Sequence, residues 1–327
     1  MRTSLVISIL SLIPSFFAAV IVGNDIDVPF RLVEMLPGRC LDSPFVVDVE
    51  FMSSYGVIVS GQGRLDINSY IRDGFDGDSN SMNRHFQIHN LTIRGGNNSY
   101  VTLPFTATVP REIIRTSSAS INFGYNSDLL SAAGSFILYP TSRTGGRLII
   151  RPTDPTRYVM DGVFRYMPVN PQIVTSIVPD PRLNATAPFV LDTTQMEVNV
   201  NTQISMTYIH RDAYEYLYDE LVRIATSIEY SHFSLAITLQ DETHVDLLPI
   251  IQFTITNPTD GGEPFNLVMY PRDYVKNYSG SNRYRVSVGV SDTLGLTIGN
   301  NLIRTMSFHL DHINGRCGFG ESLHTID

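Results

Sequence analysis

A near-repeat of an apolar run that ends in Leu-Asp is the feature that most constrains this chain. Residues 63–69 read Gly-Arg-Leu-Asp-Ile-Asn-Ser, and residues 189–194 read Phe-Val-Leu-Asp-Thr-Thr. Each copy is followed later by a β-type run that ends on a glycine. The simplest interpretation is two lobes, each of which offers one carboxylate, Asp66 and Asp192. Two carboxylates that meet can share a proton and activate water.

The composition favours many short strands. The chain of 327 residues is long enough for two lobes. Helix-forming residues are few, whereas Val, Ile, Thr, Tyr and Phe recur with Gly, Pro, Asn and Asp between them. Residues 45–51 and 100–105 show the alternation of a half-buried strand. The net charge of -9 provides no electrostatic footprint for nucleic acid or for an anionic membrane surface.

The first 20 residues are typical of a secretory signal peptide. Arg2 precedes an apolar stretch that Pro14 interrupts and that ends in small residues. No later apolar stretch approaches the length of a membrane span, so we expect a mature chain without a membrane anchor. We expect it to be secreted, or to reside in a secretory or endolysosomal compartment. Four glycosylation sequons agree with export, at Asn90, Asn97, Asn184 and Asn277.

The chain has two cysteines, Cys40 and Cys317. In an oxidising compartment such a pair usually forms a disulfide, which would hold the two ends of the chain side by side. The alternative is two unpaired buried thiols.

A proline-rich passage around residues 168–181 separates two halves of similar character. We predict an N-terminal β lobe over residues 21–170 and a C-terminal β lobe over residues 171–327, whose last strands join the sheet between the lobes. A helix is predicted over residues 212–227, because its apolar residues fall on one face and Asp212 can cap its start.

Several segments in fixed order resemble the pepsin-like aspartic proteases. The first lobe's connection to the second is similar at residues 145–150, 154–158 and 166–169, and the second catalytic loop, normally Asp-Thr-Gly, is similar to residues 189–194. The closing strands of the C-terminal lobe are similar to residues 248–249, 253–255, 296–299, 308–311 and 318–320. The resemblance covers about residues 120–320 and implies a mostly β, bilobal fold with a cleft between the lobes.

The resemblance implies site residues and also shows departures. Asp66 and Asp192 are the candidate catalytic pair, with Ser69 and Thr193 in supporting positions and Asn90 where the family has its flap tyrosine. Asn68 and Thr194 stand in place of the glycines of the two catalytic loops. The interval before the first core strand is too short for the usual basic pro-segment.

These departures favour a catalytically impaired member that binds a protein or peptide in its cleft or on its surface. The alternative is an active endopeptidase in which one aspartate activates water and the other acts as general acid. A third alternative is an unrelated β-sandwich or lectin-like protein. We expect a monomer, no cofactor and no nucleic acid partner.

Two weaker patterns are interpreted structurally. His309, Asp311 and His312 have no third ligand cluster nearby in sequence, so we read them as a strand end and turn and predict no metal. Residues 76–87 begin like a calcium loop but lack its glycine and its final acid, which favours a solvated loop.

Overall fold

The structure is a computed structural model. It describes residues 25–32, 45–53, 58–66, 68–70, 87–94, 100–108, 118–122, 134–142, 145–168, 171–183, 187–193, 197–202, 204–231, 234–259, 262–277, 282–291 and 295–323. Up to residue 122 the structure describes the backbone and the side chains of Asp25 and Asp27.

The prediction of a mostly β protein is confirmed. Within the described residues, short strands form four sheets and helices are few. Strands and helices are numbered in chain order. The α-helices are α1 (Arg211–Ile224), α2 (Pro271–Tyr274) and α3 (Asn300–Ile303), and the 3-10 helices are Pro155–Tyr158, Pro181–Leu183 and Glu242–Leu247.

The first sheet, which we call the large sheet, has eleven strands. They are β1 (Ile26–Leu32), β2 (Phe45–Ser53), β3 (Ile58–Asp66), β5 (Gln87–Arg94), β6 (Tyr100–Thr108), β7 (Ser118–Asn122), β8 (Ser135–Ser142), β9 (Gly145–Ile150), β10 (Arg165–Met167), β23 (Met306–Asp311) and β24 (Arg316–Glu321). The order is β10-β24-β23-β8-β9-β1-β2-β3-β7, and β5 pairs with both β2 and β6. Strands from near the two ends of the chain therefore share one sheet.

The second sheet, which we call the crossing sheet, also combines both halves of the chain. Its order is β21-β14-β22-β13-β4. The strands are β4 (Asn68–Tyr70), β13 (Glu197–Asn201), β14 (Thr207–Ile209), β21 (Val288–Val290) and β22 (Gly295–Ile298). Only β4 comes from the first half.

The remaining two sheets belong to the second half. The β11 sheet has the order β12-β11-β17-β18, and the β16 sheet has the order β15-β16-β20-β19. Their strands are β11 (Ile173–Val178), β12 (Phe189–Thr193), β15 (Ser227–Ser231), β16 (Ser234–Thr238), β17 (Ile250–Ile255), β18 (Phe265–Met269), β19 (Val275–Asn277) and β20 (Arg283–Val286).

The predicted helix is confirmed as α1, with a different cap. Its buried face includes Leu217 and Leu221, as the 3.6-residue spacing requires. The cap is His210, whose Nδ1 accepts a hydrogen bond from the backbone N–H of Asp212, so Asp212 lies in the first turn instead. Its carboxylate there faces the positive end of the helix dipole.

Strand β8 of the large sheet is buried on both of its faces. In β8, Phe136 and Leu138 belong to the main core, whereas Ile137 and Tyr139 belong to a second, smaller cluster with Val159. Alternate residues of a strand point to opposite faces, so a strand buried on both sides reads as a continuous apolar run. The segment between β9 and β10 covers the second face.

The predicted disulfide stays a prediction. Cys317 is buried in β24, and Cys40 lies outside the described residues. The part of the chain that the structure describes contains no disulfide. The predicted signal peptide and the calcium-like residues 76–86 also lie outside it. Among the described helices, none has the length and apolarity needed to cross a membrane.

Gly299, between β22 and α3, tests the packing of the crossing sheet. A Cβ atom there would lie 2.1 Å from the backbone oxygen of Met206, which is attached to a buried strand connection and cannot easily move. We expect Gly299→Ala to lower the free energy of unfolding by at least about 3 kcal/mol, measured by urea denaturation. Gly262→Ala is the matched control, because its nearest atom would be 3.6 Å away. An equal effect of the two substitutions would contradict the described packing.

Candidate functional site

The strand β13 lies between β22 and β4 in the crossing sheet. On one side it pairs in parallel with β22, with Val200 opposite Ile298. On the other side it pairs antiparallel with β4, with Asn201 opposite Asn68 and Val200 opposite Ser69. The main chain of the first half thus makes a direct ladder with the main chain of the second half at the end of β13.

The end of β3 is arranged in the first half as the end of β13 is in the second. β3 pairs in parallel with β7 and ends at Asp66, opposite Asn122. β13 pairs in parallel with β22 and ends at Asn201. Each of these strands therefore has a parallel neighbour from later in its own half. By its position at the end of the strand, Asn201 corresponds to Asp66.

The strand pairing brings these two residues near each other. Opposite residues of an antiparallel pair have Cα atoms about 4.5–5.5 Å apart, and a strand advances about 3.4 Å per residue. Asp66 precedes Asn68 by two residues, and Asn68 lies opposite Asn201. The Cα atoms of Asp66 and Asn201 are therefore within about 13 Å of each other.

A buried asparagine, Asn300, fixes the chain directly after Asn201. Its Nδ2 donates to the backbone oxygen of Thr202 at 3.4 Å, and its backbone N–H donates to the backbone oxygen of Ile204 at 2.9 Å. Asn300 and Thr202 are both almost fully buried. Since α3 begins at Asn300, the start of this short helix holds the residues that follow β13 in place.

A second buried asparagine, Asn301, connects the same region to β14. Thr207 Oγ1 donates to Asn301 Oδ1 at 2.7 Å and accepts from the backbone N–H of Gly299 at 3.3 Å. Asn301 Nδ2 donates to the backbone oxygen of Ser287 at 2.9 Å. Buried polar groups make a core more rigid when all of them are hydrogen-bonded. Each one left without a partner lowers the stability of the fold by about 1–3 kcal/mol.

One polar atom on β13 is buried without a partner. Asn199 Oδ1 has no hydrogen-bond donor within reach among the described residues. Asn199 and Asn201 lie on one face of β13, while Val198 and Val200 belong to the main core on the other. Asn201 is half-buried. Both residues of this face that pair with β4 are therefore amides, and Glu197 lies on the same face beyond the ladder with β4.

The predicted second catalytic residue, Asp192, lies elsewhere. It is an exposed residue of β12, opposite Val174 in the β11 sheet. Thr193, its predicted support, donates from Oγ1 to the backbone oxygen of Ile173 at 3.0 Å, within the same sheet. The strand pairing brings Asn201 to the Asp66 segment, and it provides no support for the pair Asp66 and Asp192, which stays a prediction.

The other predicted site residues are placed by their backbone. Ser69 lies in β4 opposite Val200, and Asn90 lies in β5 between β2 and β6, next to a register shift. The flap role of Asn90 stays a prediction. Asn277 is exposed at the end of β19. Asn97, Asn184 and Thr194 lie outside the described residues.

The segment with His309 forms a strand end and turn, as the sequence predicts. β23 ends at Asp311, whose carboxylate accepts from Arg316 Nε at 3.0 Å and from Asn314 Nδ2 at 2.8 Å. Burial acts to raise the pKa of Asp311, but these hydrogen bonds hold it below its usual range. Among the described residues, no three His, Cys, Asp or Glu side chains form a group that could hold a metal ion.

The chemistry of the site follows from one acid and one amide. Water activation by a carboxylate pair needs one ionised group as base and one protonated group as acid. An amide neither accepts nor releases a proton in this way, although it donates and accepts hydrogen bonds. Asp66 and Asn201 therefore cannot share a proton as two carboxylates do.

Sequence reasoning missed Asn201 because it searched for acids. The second Leu-Asp sequence drew attention to β12, whereas the topological counterpart of β3 is the next strand, β13. The signal that could have identified it is the parallel partner β22, which ends directly before Gly299, the glycine that closes the second β-type run in the sequence. No family model matches this chain, and no curated protein matches it either.

Introducing a carboxylate at Asn201 tests whether it lies beside Asp66. We expect Asn201→Asp to lower the free energy of unfolding more at pH 7 than at pH 3. The difference between the two decreases is expected to be about 1–2 kcal/mol, because two ionised carboxylates repel each other. Urea denaturation of wild type and variant at the two pH values measures this difference.

The control is the same substitution in an Asp66→Asn background. Burial of the new carboxylate alone would also lower stability as pH rises, and the Asp66→Asn background retains that effect. Only repulsion between the two carboxylates disappears there. An unchanged pH dependence in the double variant would show that the two positions are apart.

Proposed function

We propose that this chain is a bilobal, pepsin-like protein that has lost hydrolytic activity and binds a protein or peptide at the junction of its halves. The observation that carries this proposal is the amide at Asn201, at the end of the strand that meets the Asp66 segment. A site with one carboxylate lacks the second titrating group on which water activation depends.

The residues after Asn201 agree with the proposed resemblance. The sequence Asn201-Thr202-Gln203 keeps the threonine of the Asp-Thr-Gly pattern that the resemblance implies, with an amide for the acid and a glutamine for the glycine. Thr202 is fully buried, which suits a bracing role. Because both the acid and the glycine of the pattern are replaced, the sequence supports a loss of hydrolytic activity.

The topology agrees with two lobes that share strands. Each half contributes one strand with a parallel partner, and the two halves meet in the ladder between β4 and β13. Strands β23 and β24 join β8 and β10 in the large sheet. This arrangement supports the proposed division near residue 170, with the last strands shared between the halves.

The junction between β4 and β13 suits a binding role, because its backbone is fixed on both sides and Asn199 and Asn201 carry amides. An extended peptide exposes alternating N–H and C=O groups, and an asparagine side chain can pair with both. The site needs no cofactor for this role. We further propose that the protein is exported and glycosylated and acts as a monomer outside the cytosol, as the signal-like segment and the four sequons suggest.

Two measurements test the proposal on the full mature chain. A denatured protein substrate is incubated with it from pH 3 to pH 7, and mass spectrometry is expected to find no cleavage products. In parallel, peptides are selected from a phage-displayed library, and the dissociation constant of the best peptide is measured by calorimetry. We expect Asn201→Phe to weaken that peptide by at least about tenfold, because a large ring would occlude the junction.

Asp192→Asn is the matched control, since Asp192 lies on β12 in another sheet. We expect it to leave peptide affinity within about twofold of wild type. Cleavage by wild type that Asp192→Asn abolishes would instead establish the alternative, an active endopeptidase with Asp66 and Asp192. Failure to select any peptide, or a peptide indifferent to Asn201→Phe, would overturn the proposed binding site.

A further inference from the structure

His309 is a buried histidine with one satisfied ring nitrogen. It lies in β23 and is 2 % exposed. Its Nδ1 is 2.7 Å from the hydroxyl of Tyr166 in β10, while its Nε2 is buried with no hydrogen-bond partner among the described residues. In a neutral imidazole, Nδ1 accepts the hydrogen bond that the Tyr166 hydroxyl donates. The hydrogen on Nε2 then lies in an apolar site.

The contact between Tyr166 and His309 crosses the intervening strand β24. Gly318 lies opposite Tyr166 on one side and opposite His309 on the other. A Cβ atom at Gly318 would lie 2.6 Å from the Tyr166 ring, so the absence of a side chain lets the phenol reach over the strand. The phenol thereby connects β10 to β23 as well as to β24.

β10 is a short strand at the edge of the large sheet. It has three residues, pairs only with β24 among the described strands, and forms one edge of the large sheet. Around it, Phe164 and Val159 belong to the smaller cluster, and the ring of Phe164 lies 5.2 Å from that of His309. The segment from Tyr158 to Met167 is held to the sheet by this apolar cluster, by the pairing of β10 with β24 and by the bond between Tyr166 and His309. Further hydrogen bonds run from Ser307 Oγ to the backbone oxygen of Tyr158, from the Tyr158 hydroxyl to Asp25, and from the backbone N–H of Met160 to the backbone oxygen of Glu321.

The charged groups around His309 act in opposite directions. From β23, Asp311 favours an imidazolium, whereas from β24 Arg316 opposes it. The Arg316 guanidinium lies 3.8 Å from the centre of the Tyr166 ring on β10 and also binds Asp311. From β8, the residue opposite His309 is the apolar Ile137. Burial is the largest effect and, with Arg316, lowers the pKa of His309 to about 4.

We propose that His309 is an acid-sensitive latch, which holds the segment 158–167 to the large sheet at neutral pH and releases it on acidification. A protonated imidazole has two N–H donors, and its Nδ1 can then no longer accept the Tyr166 proton. It would also place a charge beside Arg316 in an apolar site. When the segment opens, water hydrates the His309 ring, which removes the cost of the lost hydrogen bond and the cost of the buried charge. Protonation and opening therefore favour each other.

The direction with pH follows from the two states. The exposed ring has a pKa near 6.5 and the buried ring has a pKa near 4, so the closed state binds fewer protons between these values. The latch is complete above about pH 6.5 and is lost as pH falls toward 4. At pH 4.5 the open population is expected to exceed its value at pH 7.5 by roughly 10-fold to 100-fold.

The latch connects acidity to the junction between the halves. The segment 158–167 lies between β9 and β11, where the chain passes from the first half to the second. Its release would therefore loosen that connection in an acidic compartment while α1, far along the chain, stays folded. This inference does not depend on the proposed peptide-binding function.

Hydrogen exchange measured by mass spectrometry tests the latch on the full chain. His309→Asn is compared with wild type, because an asparagine Oδ1 can accept from Tyr166 without titrating. We expect peptides over 158–167 to exchange 10-fold to 100-fold faster at pH 4.5 relative to pH 7.5 in wild type, after correction for intrinsic rates, and to show less than a threefold change in the variant.

Two controls separate a local latch from general acid unfolding. Peptides from α1 are expected to show no difference between wild type and variant, and His244→Gln, a substitution of a less buried histidine, is expected to behave as wild type. If His309→Asn fails to fold, Tyr166→Phe replaces it and is expected to give fast exchange at both pH values. An equal pH response of wild type and the His309 variant, or a response spread over the whole chain, would overturn the proposal.

Discussion

The ladder between β4 and β13 is the interaction on which the arrangement of the two halves depends. Three residues of the first half pair with the end of a strand that is already paired with β22. Because β13 has a neighbour on both sides, its register is fixed twice, and a slip of one residue would exchange its core valines with its amides. The position of Asn201 beside the Asp66 segment follows from that register.

Buried asparagines make this register durable. Asn300 and Asn301 follow Gly299 directly and bind backbone oxygens or hydroxyls from three other segments. Neither side chain could be replaced by an apolar one without leaving backbone groups unpaired. The crossing sheet therefore has buried polar side chains directly after the end of β22 and an apolar core around Val198 and Val200.

The sequence predicted what depends on local pattern. The 3.6-residue spacing gave α1, and the alternation of residues 45–51 and 100–105 lies in β2 and β6. It did not predict which strands meet, because pairing partners such as β4 and β13 are more than a hundred residues apart. Asp192 stood out as an acid after an apolar run, but its strand pairs within the β11 sheet, and no local signal marks that difference.

The order of strands in the large sheet has a consequence for biosynthesis. β23 fills the place beside β8, and β24 fills the place beside β10, although they are made about 170 and about 150 residues after those partners. While the ribosome is still translating the intervening chain, β8 and β10 present unpaired edges and part of the main core lacks its cover. The newly made chain therefore depends on protection from self-association, by a chaperone or by speed of synthesis, until its closing hairpin emerges.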